Sequence, residues 1–493
     1  SLHPRLYATA ALRGLNPMQR AQIYLKLPAD DKVTRLNKTL KTSPLLTPKE
    51  RSGRLLRVLG VGFGLAVIIG NTIGAGIFRT PGDIAAHLQS PWLFLAVWII
   101  GGLYALLGAV ALAELGTMLP RAGGQYVYSR YALGQYAGFV VGWSDWISTC
   151  GSAAAVSLVI GEFAGKLLRQ LTGQDIVIAV FVAVVFALLQ WRGVTWGSRT
   201  QNTTSLLKAI AFLILIIAAF IAGSGGAFTT AYTTSTPVEV GLMVGLVLSL
   251  QAVIYTYDGW SGVIYFSEEV KDPGRSIPRA LFGGVISVIV IYLLVNVALL
   301  YVLPLTEMAG KDFAAGAAAE VIFGAHGDTV FRVLTIVSMI SAINAYHLMS
   351  TRVLFAISRD GLFMSAGAKV NEGGTPTVAL LLSAIVAVLF IVFGQTFGAV
   401  LTVLAFFFVA NYTLSFISLF VLRQREPEKE RPYRAWGHPW TTGLALAASL
   451  LFLVGAILSD TRNSVYALIL LAISYPVFRL MKRGNQAQRA DSQ

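Results

Sequence analysis

Two glycine-interrupted segments hold the residues of this chain that are best suited to bind a small polar molecule. The first is Gly70–Phe78, with glycines at 74 and 76, and the second is Tyr255–Gly262, which carries Asp258. Each lies inside a hydrophobic run long enough to cross a bilayer. Backbone that leaves the helix at membrane depth is tolerated only where it is buried in protein or lines a water-filled cavity. A matched pair of such breaks therefore predicts a transporter substrate site.

The first segment is suited to binding a carboxylate. Where a helix restarts after the break, the N–H groups of residues 74–77 lack intrahelical partners, and such a helix start attracts an anion through its hydrogen bonds and its dipole. The alternative is close helix packing, because Gly70-xxx-Gly74 is also a membrane packing motif. The predicted substrate-binding residues of this segment are Thr72, Ile73, Gly74, Ala75, Gly76 and Ile77.

The second segment is suited to binding an ammonium group through unwound carbonyls. Tyr255 is the candidate gating aromatic, since its ring can close a cavity by rotating. Its aromatic residues can equally pack in the core, and Asp258 can cap the broken helix without touching a substrate. The predicted substrate-binding residues are Tyr255, Asp258, Gly259, Trp260 and Ser261.

Lys208 lies within a third hydrophobic run, and burying an ionisable residue there is costly enough to suggest a function. Its ammonium group is expected to bond the unwound carbonyls of the first segment. The alternative is that the side chain extends to the cytoplasmic surface, because the helix starts in the polar stretch from Gln201.

Other charged residues carry weaker predictions. Glu268 and Glu269 are expected to form a gate salt bridge with Arg121 or Arg130, or to be solvated. Asp145 and Glu114 are expected to neutralise nearby cationic loop residues or to pair locally. The sequence has no metal-binding or catalytic motif, so no enzyme activity, metal or cofactor is predicted.

The positioning elements are membrane helices. Over half of the chain (55%) is hydrophobic and only 13% is charged, which predicts an all-α polytopic membrane protein. Twelve apolar runs are long enough to be counted as spans: 56–79, 92–117, 136–163, 176–191, 202–222, 241–267, 280–303, 330–357, 377–393, 398–422, 441–458 and 464–480.

The distribution of charge orients these spans. With both termini in the cytoplasm, most of the 38 Lys and Arg residues fall in the tails and cytoplasmic loops. The net charge of +14 therefore needs no nucleic-acid partner. The basic N-terminal tail, residues 1–54, is expected to lie against membrane lipid through Pro17–Leu40 or to be solvated. Residues 481–493 form the predicted C-terminal tail.

The spans divide into two matching halves. Residues 55–222 and 241–423 each contain five spans and open with a glycine-interrupted helix, while residues 441–480 form an accessory hairpin. An odd number of spans per half inverts the second half relative to the first, as inverted repeats require. The polar linker between the halves is Gly223–Val240.

Several motifs of this chain resemble a known family. Asn71–Phe78 resembles the broken first helix of the amino acid–polyamine–organocation superfamily. Tyr257-Asp258-Gly259-Trp260 with Pro273–Ala280, Ser358–Gly361 and Arg431–Arg434 resemble its L-amino-acid-transporter branch. The resemblance covers about residues 55–480.

The resemblance implies a leucine-transporter-like 5+5 inverted repeat, with helices 1 and 6 broken, that exchanges L-amino acids without sodium by alternating access. Gly74, Ala75 and Gly76 would receive the substrate carboxylate, and carbonyls of Thr72, Tyr255 and Asp258 the amino group. Lys208 would replace a sodium ion. Tyr292 would correspond to a functional tyrosine of the family's seventh helix.

Two departures from the family pattern refine this expectation. Ala75 replaces a common serine, so no hydroxyl assists the carboxylate there. The loop Glu162–Asp175 has no cysteine, which predicts a stand-alone bacterial-type carrier of the inner or plasma membrane without a disulfide-linked heavy chain. Neutral substrates are expected. The alternatives are a cationic amino-acid or polyamine carrier and a non-transporting sensor.

Overall fold

The computed structural model describes residues 55–490, apart from residues 169, 171, 224, 226–227, 229–240, 312, 395–396 and 460. The predictions for the N-terminal tail and for most of the linker between the two halves lie outside this description. Within the described residues the fold is all-helical, and the only β-type pairings are two isolated bridges, Leu59 with Val270 and Val370 with Pro376. The predicted all-α class is therefore confirmed.

The helices follow the apolar runs of the sequence. They are α1 (Val61–Thr72), α2 (Gly76–His87), α3 (Pro91–Met118), α4 (Gln125–Leu133), α5 (Gln135–Leu167), α6 (Asp175–Trp191), α7 (Val194–Ala222), α8 (Leu242–Thr256), α9 (Pro273–Val302), α10 (Leu305–Met308), α11 (Ala314–Phe323), α12 (Gly327–Arg359), α13 (Thr377–Gly394), α14 (Phe397–Arg425), α15 (Trp440–Ser459) and α16 (Thr461–Ala490).

Many of these helices are suited to a bilayer. By length and composition, eight helices of the described chain can each cross it, and the pair α1 and α2, bent by 45° at the break, makes a ninth if counted as one span. The helices α6 and α8 are apolar but shorter. The count of twelve spans stays a prediction. The predicted C-terminal tail begins inside α16, because that helix continues to Ala490.

The centre of the helical bundle is α5. Almost all of its apolar stretch is buried within the protein, whereas α15 exposes most of its own. Small residues allow α5 to be buried in this way, because Gly151, Ser152 and Ala153–Ala155 let neighbouring helices approach it closely. The bundle therefore surrounds α5 and leaves the outer helices to face lipid.

The helix α1 is held against α7 at Gly70. An added Cβ at this glycine would lie 2.1 Å from the amide nitrogen of Gln201 and 2.6 Å from the hydroxyl of Ser205. Both of those side chains donate hydrogen bonds to the Ala66 carbonyl. Gly70 thus allows close packing of α1 against α7, which is the alternative to carboxylate binding that the sequence suggested for this motif.

Candidate functional site

The first helical break lies where the glycines predict it. The helix α1 ends at Thr72 and α2 begins at Gly76, with Ile73–Ala75 between them outside the helix. Gly74 donates its N–H to the Thr72 carbonyl at 2.9 Å, and no side chain caps the start of α2. The first N–H groups of α2 are therefore available to an anion.

The second break lies directly opposite the first. The helix α8 ends at Thr256, residues 257–261 form turns, and a short 3₁₀ helix follows at Gly262–Phe266. Asn71 donates a 3.3 Å hydrogen bond to the carbonyl of Gly259. Gly259 has φ +102°, and a Cβ there would lie 2.7 Å from the Asn71 amide nitrogen. Both the conformation and the close approach require glycine.

A cavity lies between the two breaks and their neighbouring helices. Its empty space is about 500 Å³, part of which is open to solvent. Its lining comes from residues at the two breaks and from α5, α12 and α14. The lining residues are Asn71, Thr72, Gly74, Ala75, Gly76, Ser152, Ala155, Val156, Tyr255, Thr256, Asp258, Ala342, Tyr346 and Phe408.

The predicted site residues divide into two groups. Thr72, Gly74, Ala75, Gly76, Tyr255 and Asp258 line the cavity, whereas Ile73, Ile77, Gly259, Trp260 and Ser261 are buried behind it. The ring of Trp260 stacks on that of Tyr412, with centroids 4.9 Å apart, so its role in this structure is packing.

Sequence reasoning missed the lining residues that lie away from the breaks. Ser152 and Ala155 belong to α5, Tyr346 to α12 and Phe408 to α14. In these three helices the polar residues are not confined to one face, so the sequence does not show which residues face a cavity. Thr256 and Asn71, in contrast, adjoin the predicted residues, and their polar side chains in apolar runs were a usable signal.

Tyr292 ties the two breaks together. Its hydroxyl lies 2.7 Å from the Thr72 carbonyl and 3.0 Å from the Thr256 carbonyl. The Tyr255 carbonyl already accepts the Asp258 N–H at 3.0 Å. Of the three carbonyls predicted to bind an amino group, two are thus already hydrogen-bonded, while that of Asp258 accepts no hydrogen bond among the described residues.

Lys208 is wholly buried (0% exposed) and does not extend to a surface. Its ammonium group donates to the Gly70 carbonyl at 2.8 Å and to the Ile73 carbonyl. Ser338 and Ser341 of α12 donate to the same two carbonyls. The interpretation that this side chain reaches the cytoplasmic surface is wrong, because the end of α1 surrounds it with acceptors.

A network of ion pairs joins the segment after the second break to the end of α12. Glu268 pairs with Arg359 at 2.6 Å, and Glu269 makes two hydrogen bonds of 2.9 Å to Arg352. Arg130 pairs instead with Asp360 at 2.9 Å. The predicted pairing of Glu268 or Glu269 with Arg121 or Arg130 is therefore wrong: Arg359 and Arg352 of α12 supply the cations, and the loop at Arg121 contributes the Ala122 N–H, which donates to Glu268 at 3.1 Å.

Backbone hydrogen bonds also join the two broken segments at the end where these ion pairs lie. The N–H of Leu59 donates to the Glu269 carbonyl, and the N–H of Lys271 donates to the Leu59 carbonyl. The residues that precede α1 are thereby fixed to those that follow the second break. Both breaks are thus anchored at the same end of the molecule, which is closed in this structure.

We expect Arg352→Met to destabilise the protein more than Arg359→Met. Both partners of the Arg352–Glu269 pair are 0% exposed, so removing one leaves an uncompensated buried charge, at a cost of about 3–5 kcal/mol. Glu268 and Arg359 are partly exposed, so their loss is expected to cost about 1 kcal/mol or less. Thermal unfolding in detergent would measure both, and equal shifts would contradict the prediction.

The remaining carboxylates have different partners. Glu114 is buried and pairs with Arg423 and with Arg431 of the following loop, as expected of a group that neutralises cationic residues. Asp258 accepts a 2.8 Å hydrogen bond from the hydroxyl of Tyr412. Asp145 accepts one from the hydroxyl of Tyr265 at 2.9 Å, and no cation pairs with it within the described residues.

Comparison with known proteins gives consistent matches. The family described as amino acid permease matches residues 64–477. The chain is 28% identical to the serine/threonine exchanger SteT of Bacillus subtilis, over 87% of this chain and 98% of that protein. It is 29% identical to the Asc-type amino acid transporter 1 of Mus musculus, over 77% and 73% of the two chains. The human large neutral amino acids transporter small subunit 2 is 25% identical, over 80% and 79%.

Proposed function

This chain belongs to the amino acid permease family, a family of multi-pass membrane transporters and not of enzymes, and from that premise we propose that it moves L-amino acids across a membrane by alternating access. Its substrates are small neutral amino acids. Transport is sodium-independent exchange of one amino acid for another.

The observation that carries this proposal is the meeting of the two breaks at one cavity. The start of α2 offers N–H groups to a carboxylate, and the Asp258 carbonyl offers an acceptor to an amino group. These two functions are what all α-amino acids share. The side chain would then extend toward Ser152, Val156 and Phe408, where only small and apolar groups line the cavity.

Lys208 supports independence from sodium. Its ammonium group lies against the Gly70 and Ile73 carbonyls, where a helix that ends in a membrane presents acceptors suited to a cation. An amino group that donates to both carbonyls takes the place that a bound metal ion would otherwise fill. The relative that is named as a serine/threonine exchanger supports exchange as the transport mode.

The proposed topology has twelve spans in two inverted halves, residues 55–222 and 241–423, and an accessory hairpin at 441–480. Both termini lie in the cytoplasm, as the distribution of Lys and Arg favours. The protein then resides in the cell inner or plasma membrane. Its one cysteine, Cys150, is buried, so a heavy chain linked through a disulfide is not part of the proposal.

Counterflow in proteoliposomes tests the proposal. Vesicles loaded with one unlabelled L-amino acid at a time would be diluted into labelled serine or alanine in sodium-free buffer. Accelerated uptake with a subset of small neutral amino acids is the expected result. Uptake that requires sodium, or that no amino acid accelerates, would contradict it.

A cationic substrate is the second candidate, because the Asp258 carboxylate lines the cavity and its hydrogen-bond partner is the neutral hydroxyl of Tyr412. We expect Asp258→Asn to retain counterflow of neutral amino acids within about tenfold of the wild type, since the loss of one hydrogen-bond acceptor is worth about 1 kcal/mol. Loading with lysine or putrescine discriminates the two candidates. Acceleration by lysine that is lost in Asp258→Asn would establish the cationic class.

A further inference from the structure

Asp145 is a buried carboxyl that the proposed transport mechanism does not use. It lies in α5 and is 2% exposed. One carboxyl oxygen accepts the 2.9 Å hydrogen bond from Tyr265, and the other has no hydrogen-bond partner in the described part of the protein. A group this polar, in a nearly dry place at the centre of a helical bundle, is unusual unless it has a role.

Among the described residues, no positive charge from the surrounding elements compensates this carboxyl. The groups that act on it electrostatically are the phenol of Tyr265, the carboxyl of Asp258 and the hydroxyl of Thr149, none of which is a cation. The cations on the described parts of the helices packed against α5 are engaged elsewhere. These pairs are Arg130 with Asp360, Arg332 with Asp328, Arg352 with Glu269, Arg359 with Glu268, Arg423 with Glu114, Arg425 with the Ala132 carbonyl and Arg479 with Tyr475. The neutral titratable groups likewise have other partners: Tyr126 with Asp360, Tyr346 with Ser152, His347 with the Ala183 carbonyl and Tyr412 with Asp258.

A carboxylate in such a place is far more costly than a neutral carboxylic acid, because only the ion must be stripped of a strongly bound water shell. The neutral form needs one proton, and the oxygen without a partner is free to carry it. The structure therefore favours Asp145 as a carboxylic acid when this end of the protein is closed.

The partner of Asp145 lies on a segment that must move. Tyr265 is in the 3₁₀ helix after the second break, three residues before Glu268, whose ion pair with Arg359 closes this end. When the end opens, this segment withdraws from α5, and water reaches the carboxyl. The acid then releases its proton to that water and becomes a carboxylate.

We propose that Asp145 is a proton-binding site whose occupancy is coupled to opening of the end closed by Glu268 and Glu269. The inference rests on the alternating access proposed above. Opening releases one proton and closing takes one up, so raising the pH favours the open state by up to about tenfold per pH unit. No redox or covalent step is involved.

Infrared difference spectroscopy and counterflow together test the site. Purified wild type, Asp145→Asn and Glu162→Gln would be titrated between about pH 5 and pH 8. Glu162 lies on the same helix, but it is exposed and paired with Lys166 at its surface, so it is the matched control. The readouts are the carbonyl stretch of a protonated carboxylic acid and the pH profile of exchange.

The expected result is a carboxylic-acid band at neutral pH in the wild type and in Glu162→Gln that is absent in Asp145→Asn. Asp145→Asn should still exchange amino acids, but its rate should change less than about twofold over the range in which the wild-type rate varies. A band or a pH profile that Asp145→Asn leaves unaltered would overturn the proposal. Failure of the wild type to exchange any amino acid would instead overturn the proposed function, and the band would still decide whether Asp145 holds a proton.

Discussion

Replacement of Lys208 by methionine is expected to lower the counterflow rate by roughly 100-fold while leaving a folded protein. Methionine keeps the apolar stem of lysine but removes the ammonium group that holds the Gly70 and Ile73 carbonyls. Hydrogen bonds to a charged donor are worth about 1.5–3 kcal/mol each, and 1.4 kcal/mol corresponds to a factor of ten. The carbonyls keep their bonds from Ser338 and Ser341, so the end of α1 should loosen without unfolding the bundle.

The matched control is Lys166→Met. Lys166 is half exposed and pairs with Glu162 at the surface of α5, beside the ring of Phe163, so its loss should leave transport unchanged. Counterflow gives the rate for both variants, and size-exclusion profiles in detergent show whether each is folded. Wild-type transport by Lys208→Met would mean that the buried ammonium group has no part in the cycle.

The breaks were predictable because their cause is local. Gly74, Gly76 and Gly259 stand in runs that otherwise favour uninterrupted helices, and glycine is the residue that permits the backbone found there. The carbonyl partners of Lys208 were predictable for a related reason. A helix that ends inside a membrane must present acceptors, and a lysine on the neighbouring run is the natural donor.

The distant contacts were not predictable from the sequence. Glu268 lies 91 residues from Arg359, and nothing in the sequence favours that arginine over Arg121 or Arg130, which lie still farther along the chain, until the position of α12 is known. The cavity wall from α5, α12 and α14 was missed because the polar residues of those helices are not confined to one face, so no stripe marks the side that meets the cavity. The absence of a cationic partner for Asp145 was also not predictable, because it depends on where six neighbouring helices direct their charged residues.

The two glycines of the first break have different surroundings, and this difference decides which of them gives a clean test of the site. A Cβ at Gly76 would lie 2.9 Å from the methyl group of Thr256, whose hydroxyl is 2.6 Å from that of Thr80. A larger residue there disturbs the contact between the breaks as well as the cavity. At Gly74, the nearest atom to an added Cβ is the Thr72 carbonyl oxygen at 4.0 Å, so a side chain there would extend into open space.

Gly74→Val is therefore expected to abolish amino-acid binding without destabilising the protein. Its methyl groups would occupy the place proposed for the substrate carboxylate, beside the first N–H groups of α2. We expect a loss of affinity of at least about 100-fold, which corresponds to roughly 3 kcal/mol of lost hydrogen bonding to an ionised group. Stabilisation by ligand against thermal unfolding would measure it.

Gly62→Val on α1 is the matched control, because an added Cβ at Gly62 also meets no atom within 4 Å but lies outside the cavity. Both variants introduce a β-branched residue into the same span, Gly62 in the helical part of α1 and Gly74 in the break, so the control shows whether such a residue in this span is harmful by itself. A loss confined to Gly74→Val would locate the substrate carboxylate at the start of α2. Equal affinity in the two variants would exclude the start of α2 as the place of the substrate carboxylate. The lining residues of α5, α12 and α14 would then be left as the part of the cavity that holds the substrate.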